Sequence, residues 1–291
     1  MGVFQDENGV DQMRLVLGMP WYSGPDTVCF ARFMDFMTYL GELRQRTIMY
    51  NAVGESILEY DLPKISPDSP EELGAEPTKE DLDNLGVLEL GLLDYTRCSL
   101  PGKARELIIE SSLAWDADYC LMWDDDMMFD HSLFLRLWRH QVPVVAALAF
   151  TAREPYNPVI MTIKESTDST SGKPMMSSEF VLDYPKNKLI TNADVGGALA
   201  FGTGVFLSDM NVFRQMPQPW FESTGAGEDF FFCTKCHQHN IQRYVDTSTK
   251  TRHKKWSVEW ISEEYYEAFK EINPQVFDNL VGNGLKKEVV A

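Results

Sequence analysis

Basic residues are scarce in this chain: 26 Lys and Arg stand against 44 Asp and Glu over 291 residues, a net charge of −18. Phosphate backbones are held by clustered Lys and Arg, so this balance argues against a broad nucleic-acid-binding face while leaving room for a small basic site. Cysteine is sparse too. Cys29, Cys98, Cys120, Cys233 and Cys236 are odd in number and scattered. That is no disulfide framework, and it predicts a reducing compartment. Long apolar runs are missing: the longest clean one, VPVVAALAF at 142–150, is far too short to span a bilayer. The opening MGVFQDENGVDQ has no basic segment followed by an apolar stretch, so no signal peptide is read there. Asp6 stands where the myristoylation pattern needs Ser or Thr. The expectation is a soluble, cytoplasmic protein.

What is present reads as a globular α/β chain. Hydrophobic residues make up 44% and charged residues 24%, and the length fits one large domain or two small ones. RLVLGMPWYSG, from Arg14, predicts a buried strand ending at Gly18 and then a Pro/Gly loop. PDTVCFARFMDFMTYLGELRQR has apolar residues at helical spacing, and TIMYNAVG predicts a second strand. Strand, helix, strand opens a βαβ unit, the building block of parallel sheets. Residues 56–92, rich in Pro, Glu and Asp, predict an exposed polar insertion. GKARELIIESSLAWDAD predicts a helix and YCLMW a strand, with Asp124, Asp125 and Asp126 directly after it.

That position bears on chemistry, because ligands of open α/β sheets bind beyond the carboxyl ends of the strands. Adjacent carboxylates repel and are costly to bury unless something positive sits among them. Spaced one residue apart, two of them can reach one divalent cation, and Mg²⁺ or Mn²⁺ prefer such oxygen ligands. On its own the triplet reads sooner as a solvated turn or a helix cap than as a cation site. GAGEDFFFC offers Glu228 and Asp229, an acidic pair suited to deprotonating a hydroxyl or simply to capping a helix. DTSTKTRHKKW offers His253 among cations, suited to completing a metal shell or to a basic surface turn.

In this order and spacing, the blocks resemble the GT-A glycosyltransferases, and within them the inverting family 2-like enzymes, from LVLGMPWYSG to about His253. WDDDMMF is similar to the family's DxD motif, with Asp124 and Asp126 at its two fixed positions. GEDFFFC is similar to its xED motif, GTGVFLSD to the glycine segment under donor and acceptor, and VDTSTKTRH to the strand whose histidine closes the metal site. VVAALAFTAREPYNPV resembles the stretch after DxD. The resemblance implies a Rossmann-like nucleotide-diphospho-sugar transferase fold, a mixed, mostly parallel sheet flanked by helices. It implies a catalytic domain over 14–262 carrying the 56–92 insertion, after a tail at 1–13 and before a helical tail at 263–291.

The resemblance also implies roles. Asp126 and His253, with Asp124, would hold Mn²⁺ or Mg²⁺. Asp124 would meet the ribose or base of a nucleotide-sugar, a UDP- or GDP-sugar, with Asp125 beside it. Asp229 would be the general base and Glu228 would orient it or the acceptor. Pro20, Trp21, Lys103, Arg105 and Gly204 would line the donor. The acceptor is open: a glycan, a lipid-linked sugar, a protein, a small molecule or a hydroxylated nucleic-acid base. Two other functions stand beside this one, a nucleotidyltransferase on a similar sheet and a non-catalytic protein that kept the fold. Finally, CTKCH at 233–237 fits a c-type haem attachment pattern, and Cys233, Cys236, His237 and His239 suggest zinc. A zinc site would need all four ligands from one short helix, or a second pair that is not obvious elsewhere, and haem attachment usually belongs to exported proteins. The resemblance implies that Cys233, four places after Asp229, packs as a small hydrophobe.

Overall fold

The computed structural model describes residues 4–5, 11–20, 27–54, 76–94, 100–167, 172, 174–223, 227–254, 260–274 and 287–290. In chain order the elements are β1 (Phe4–Gln5), β2 (Asp11–Met19), α1 (Thr27–Val53), α2 (Lys79–Leu85), β3 (Val87–Asp94), α3 (Pro101–Ala114), β4 (Tyr119–Trp123), β5 (Met127–Phe129), α4 (Leu133–Trp138) and β6 (Val144–Leu148). There follow β7 (Ile160–Thr167), β8 (Pro174–Phe180), β9 (Leu189–Ile190), β10 (Ala198–Phe201), β11 (Val205–Asp209), α5 (Asn211–Gln215), α6 (Glu228–Gln238), β12 (Tyr244–Lys254), β13 (Trp260–Ile261), α7 (Glu263–Ile272) and β14 (Lys287–Val290).

The central sheet runs β3-β2-β4-β11-β6-β12. β3, β2 and β4 are parallel, β11 is antiparallel to both its neighbours, and β6 and β12 are parallel. This is the mixed, mostly parallel sheet that was expected. Successive residues of its strands feed opposite faces, and both faces are buried. Val16, Cys120, Met122, Val144, Ala146 and Phe206 join α3 and α6 in one core. Leu15, Leu17, Leu121, Trp123, Val145 and Leu207 join α1 and α4 in the other. A sheet covered on both sides reads as continuous apolar runs, as YCLMW and VVAAL do. β7, β8, β10 and β14 form a separate antiparallel sheet in the order β10-β7-β8-β14.

Four expectations are corrected. TIMYNAVG is not a strand but the end of α1. The buried Phe36, Leu40, Leu43 and Thr47 keep helical spacing into it, and the Thr47 hydroxyl accepts the Leu88 amide at 3.0 Å. The strand beside β2 is instead β3, which together with α2 occupies the second half of the 56–92 segment; residues 55–75 lie outside those described. α2 is announced by a Thr78/Asp81 capping box, and Arg139 holds the Asp81 carboxylate through Nη2 at 2.8 Å. The 1–13 tail contributes β1 and the start of β2, which pair with each other. Among its described residues the 263–291 tail holds a helix, α7, and also a strand, in which Val289 and Val290 pair with Met176 and Met175.

Two features aim the site. Gly18 lets α3 lie close on β2, since a Cβ there would sit 2.5 Å from Ile108 Cγ2. β12 changes partner along its length: it pairs with β6 through Asp246, bulges, meets β6 again at Lys250, and from Thr251 pairs antiparallel with β5. Asp246 organises that bulge. Its carboxylate accepts from His140 Nε2 at 3.0 Å, the Ser248 amide at 2.8 Å, and the Ser248 and Thr249 hydroxyls, each at 2.6 Å. Burial works to raise its pKa, but these donors prevail and hold it well below the usual carboxylate range. A depressed pKa stabilises the fold above the unfolded value near 3.9, and that stabilisation is lost as pH falls further. Asp246→Asn is expected to cost about 2–3 kcal/mol at pH 7. Chemical denaturation of the two proteins at pH 7 and near pH 3 checks this: the difference should shrink toward the lower pH.

Candidate active site

The aspartate triplet sits where β4 ends, at the carboxyl edge of the sheet. The Asp124 amide donates to the Gly204 carbonyl at 2.8 Å and the Asp124 carbonyl accepts the Met127 amide at 3.1 Å, so a tight turn leads into β5. Antiparallel pairing of β5 with β12 sets Met127 opposite His253, and the Lys254 amide donates to the Asp126 carbonyl at 2.9 Å. Register alone therefore brings Asp126 beside a histidine 127 residues away, with 3.1 Å between Asp126 Oδ2 and His253 Nε2. The Asp126 side chain is 46% exposed and that of His253 23%, so the pair faces outward.

The other ring nitrogen of His253 defines its chemistry. Nδ1 lies 2.7 Å from the Phe150 carbonyl, which can only accept, so Nδ1 carries a proton. The Phe150 ring is held against Tyr266 of α7, with centroids 5.4 Å apart, and α7 is tied down where the Tyr184 hydroxyl donates to Glu263 at 2.9 Å. Nε2 then points at an acceptor, Asp126 Oδ2. That approach needs a proton on Nε2 or a cation between the two groups. Burial pulls the His253 pKa down, but the Asp126 hydrogen bond and charge outweigh it and leave it raised. The donor set, one carboxylate oxygen and one oriented imidazole, fits a divalent cation such as Mn²⁺ or Mg²⁺. Among the described residues no three or more His, Cys, Asp or Glu gather into a metal cage. A cation here would take its remaining ligands from water and a bound phosphate, as Mg²⁺ commonly does.

The positive group among the aspartates is Arg105. It is 1% exposed; Nη2 donates to Asp124 Oδ1 at 2.6 Å and Nη1 to Glu228 Oε1 at 2.9 Å, while Nη2 also lies 3.4 Å from the Thr203 carbonyl. Sequence reading set Arg105 against the donor. Its terminal nitrogens are instead committed to protein oxygens, and it joins the two acidic motifs to one another. Burial works to lower its pKa, but the charges of Asp124, Asp229 and Glu228 prevail and raise it. The Asp124 carboxyl is pushed up to about 7 by burial; Arg105 opposes this, and the charges of Asp126 and Asp229 add to it.

Glu228 and Asp229 open α6, where anionic side chains suit the helix dipole. Their approach is held by α3. Gly102 packs against Glu228, a Cβ there falling 3.4 Å from Glu228 Cβ, and the Glu106 carboxylate accepts the Trp220 and Phe221 amides. Asp229 Oδ1 accepts the hydroxyl of buried Thr203.

The remaining candidates divide. Asp125 lies half-buried between its neighbours, and Pro20 is buried at the end of β2. Gly204 adjoins the cluster, since a Cβ there would lie 3.7 Å from Asp124 Oδ2. Lys103 is exposed, about 200° around α3 from Arg105, with its charge toward Glu106, and is not brought into the cluster. Trp21 lies outside the described residues. Cys233 and Cys236 are buried: Cys233 Sγ meets the Phe201 amide at 3.4 Å, and His237 pairs with Glu165 at 2.9 Å. Cys233 packs as a small hydrophobe, as the resemblance implies, and Cys236 is buried in the same core. Sequence reading missed Thr203, the Phe150 carbonyl and Glu106. The GTG segment pointed to the first; nothing local pointed to the other two. A separate cleft, lined by Asp83, Tyr119, Trp138 and Asp209 among others, lies at the opposite end of the strands and includes none of the candidate residues. No helix among the described residues is long and apolar enough to cross a membrane.

No family model matches the chain, and no curated protein does. Solved structures that it resembles include A197 from STIV, at 14% identity and a TM-score of 0.41, covering 86% of this chain and 94% of that one. TarS 1-349 of S. aureus in complex with UDP-GlcNAc is 15% identical with a TM-score of 0.34, covering 91% and 67%. CMP:2-keto-3-deoxy-manno-octonic acid synthetase complexed with CTP is 11% identical with a TM-score of 0.32, covering 92% and 99%. Likenesses at this level carry nothing about activity, which rests on the side chains above.

Proposed function

We propose that the chain is an inverting glycosyltransferase that moves a sugar from a nucleotide-sugar to an acceptor hydroxyl. The observation that carries this reading is the approach of Asp126 to His253 at the carboxyl edge of the sheet, beside an acidic pair tied to the same turn through Arg105. Asp126 and His253 would hold Mn²⁺ or Mg²⁺. Bound there, the cation would neutralise charge on the departing diphosphate. Asp124 and Asp125, with the Gly204 backbone and Pro20, would flank the nucleotide. Asp229 would take the proton as the acceptor oxygen attacks the anomeric carbon. The new C–O bond forms as the bond to the diphosphate breaks, and the electron pair leaves with the nucleoside diphosphate. Glu228, held by Arg105, would keep the start of α6 in place.

The test is release of nucleoside diphosphate from UDP-glucose, UDP-GlcNAc and GDP-mannose, with and without Mn²⁺. Release that needs Mn²⁺ and is lost in Asp126→Ala supports the reading. Pyrophosphate release from nucleoside triphosphates, with none from the sugars, would instead mark a nucleotidyltransferase.

A further inference from the structure

Thr203 sits between two glycines in the turn that joins β10 to β11, and three constraints meet there. Its carbonyl lies 3.4 Å from Arg105 Nη2. The next carbonyl, of Gly204, accepts the Asp124 amide at 2.8 Å. The turn itself is pinned: the Gly202 amide donates to the Val159 carbonyl at 3.3 Å, and a Cβ on Gly202 would fall 2.7 Å from Val159 Cγ1. A threonine in a turn ordinarily bonds its own neighbouring backbone. Here the side chain is fully buried, and its hydroxyl donates to Asp229 Oδ1, 26 residues further along the chain.

We propose that Thr203 is the positioning residue of the acceptor base: its hydroxyl occupies Oδ1 of Asp229 and leaves Oδ2 as the oxygen that takes the acceptor proton. This rests on the reading of Asp229 as that base. The hydroxyl sets the rotation of the carboxylate, while the Thr203 carbonyl and Gly204 keep that carboxylate in register with Arg105 and the aspartate turn. A base must lie within hydrogen-bond reach of the proton it removes, so a carboxylate free to rotate would spend less time aimed at the acceptor. The donor diphosphate is held elsewhere and should not sense the loss.

The experiment compares the full chain with Thr203→Val, Thr203→Ser and Asp229→Asn, using Mn²⁺ and whichever of the three nucleotide-sugars the wild type turns over. Thr203→Val keeps the shape and removes the donor. It is expected to lower kcat about 10-fold or more, with the donor KM and thermal midpoint close to wild type, and Thr203→Ser should restore the rate. Wild-type kcat in Thr203→Val, with Asp229→Asn inactive, would overturn the proposal and leave the base in place. Equal loss in Thr203→Val and Thr203→Ser, with a lowered midpoint in both, would overturn it by showing a packing role only. An active Asp229→Asn, or a wild type that releases no nucleoside diphosphate, would overturn the parent reading and this proposal with it.

Discussion

Asp229→Asn should lower the transfer rate by about 10²–10⁴-fold, the usual contribution of a positioned base. The asparagine amide is the same size and can still accept the Thr203 hydroxyl, so the start of α6 and its Arg105–Glu228 tie should persist. The amide cannot accept a proton at neutral pH. The effect should therefore fall on kcat, with the donor KM and the thermal midpoint little changed. Steady-state kinetics on the two proteins at one Mn²⁺ concentration checks this. A variant within a few-fold of wild type would remove Asp229 from the chemistry.

Arg105→Met is expected to have the largest effect on stability. Arg105 is buried, and its fork ends on Asp124 and Glu228. Removing one member of such a pair leaves the carboxylates without their counter-ion and costs about 3 kcal/mol or more. For a chain of this size that lowers the thermal midpoint by roughly 6 °C or more. Arg105→Lys keeps the charge but a single ammonium lacks the planar fork that reaches both acids at once, so an intermediate loss is expected. Thermal melts of the three proteins decide the matter. A methionine variant as stable as wild type would mean that the aspartate turn and the start of α6 do not depend on this cation.

The separation between what was legible and what was not has a physical basis. β4 and β6 were legible because strands buried on both faces read as short apolar runs. That Asp126 and His253 belong together was an expectation of the family resemblance alone, and it is the pairing of β5 with β12 that sets them 3.1 Å apart. β3 was hidden because the Pro-rich acidic stretch before it coloured the whole 56–92 segment. TIMYNAVG misled because Thr, Ile and Tyr favour strands locally, while the buried face of α1 continues through Thr47. Arg105 showed as a cation on a helix, but the sequence holds no sign that its partners are Asp124 and Glu228, 19 and 123 residues away. The Thr203 hydroxyl is the same case: which acceptor it finds is decided by tertiary packing. Glu106 was silent for another reason, since its partners are backbone amides, which leave no mark in a sequence.

The central claim is that Asp126 and His253 grip one cation against a diphosphate. Pulsed EPR of Mn²⁺ bound to the full chain with UDP measures this directly. The account predicts ¹⁴N coupling from the His253 imidazole together with ³¹P coupling from the diphosphate, the nitrogen signal vanishing in His253→Ala. Bound Mn²⁺ that shows phosphorus coupling and no nitrogen coupling in the wild type would contradict it.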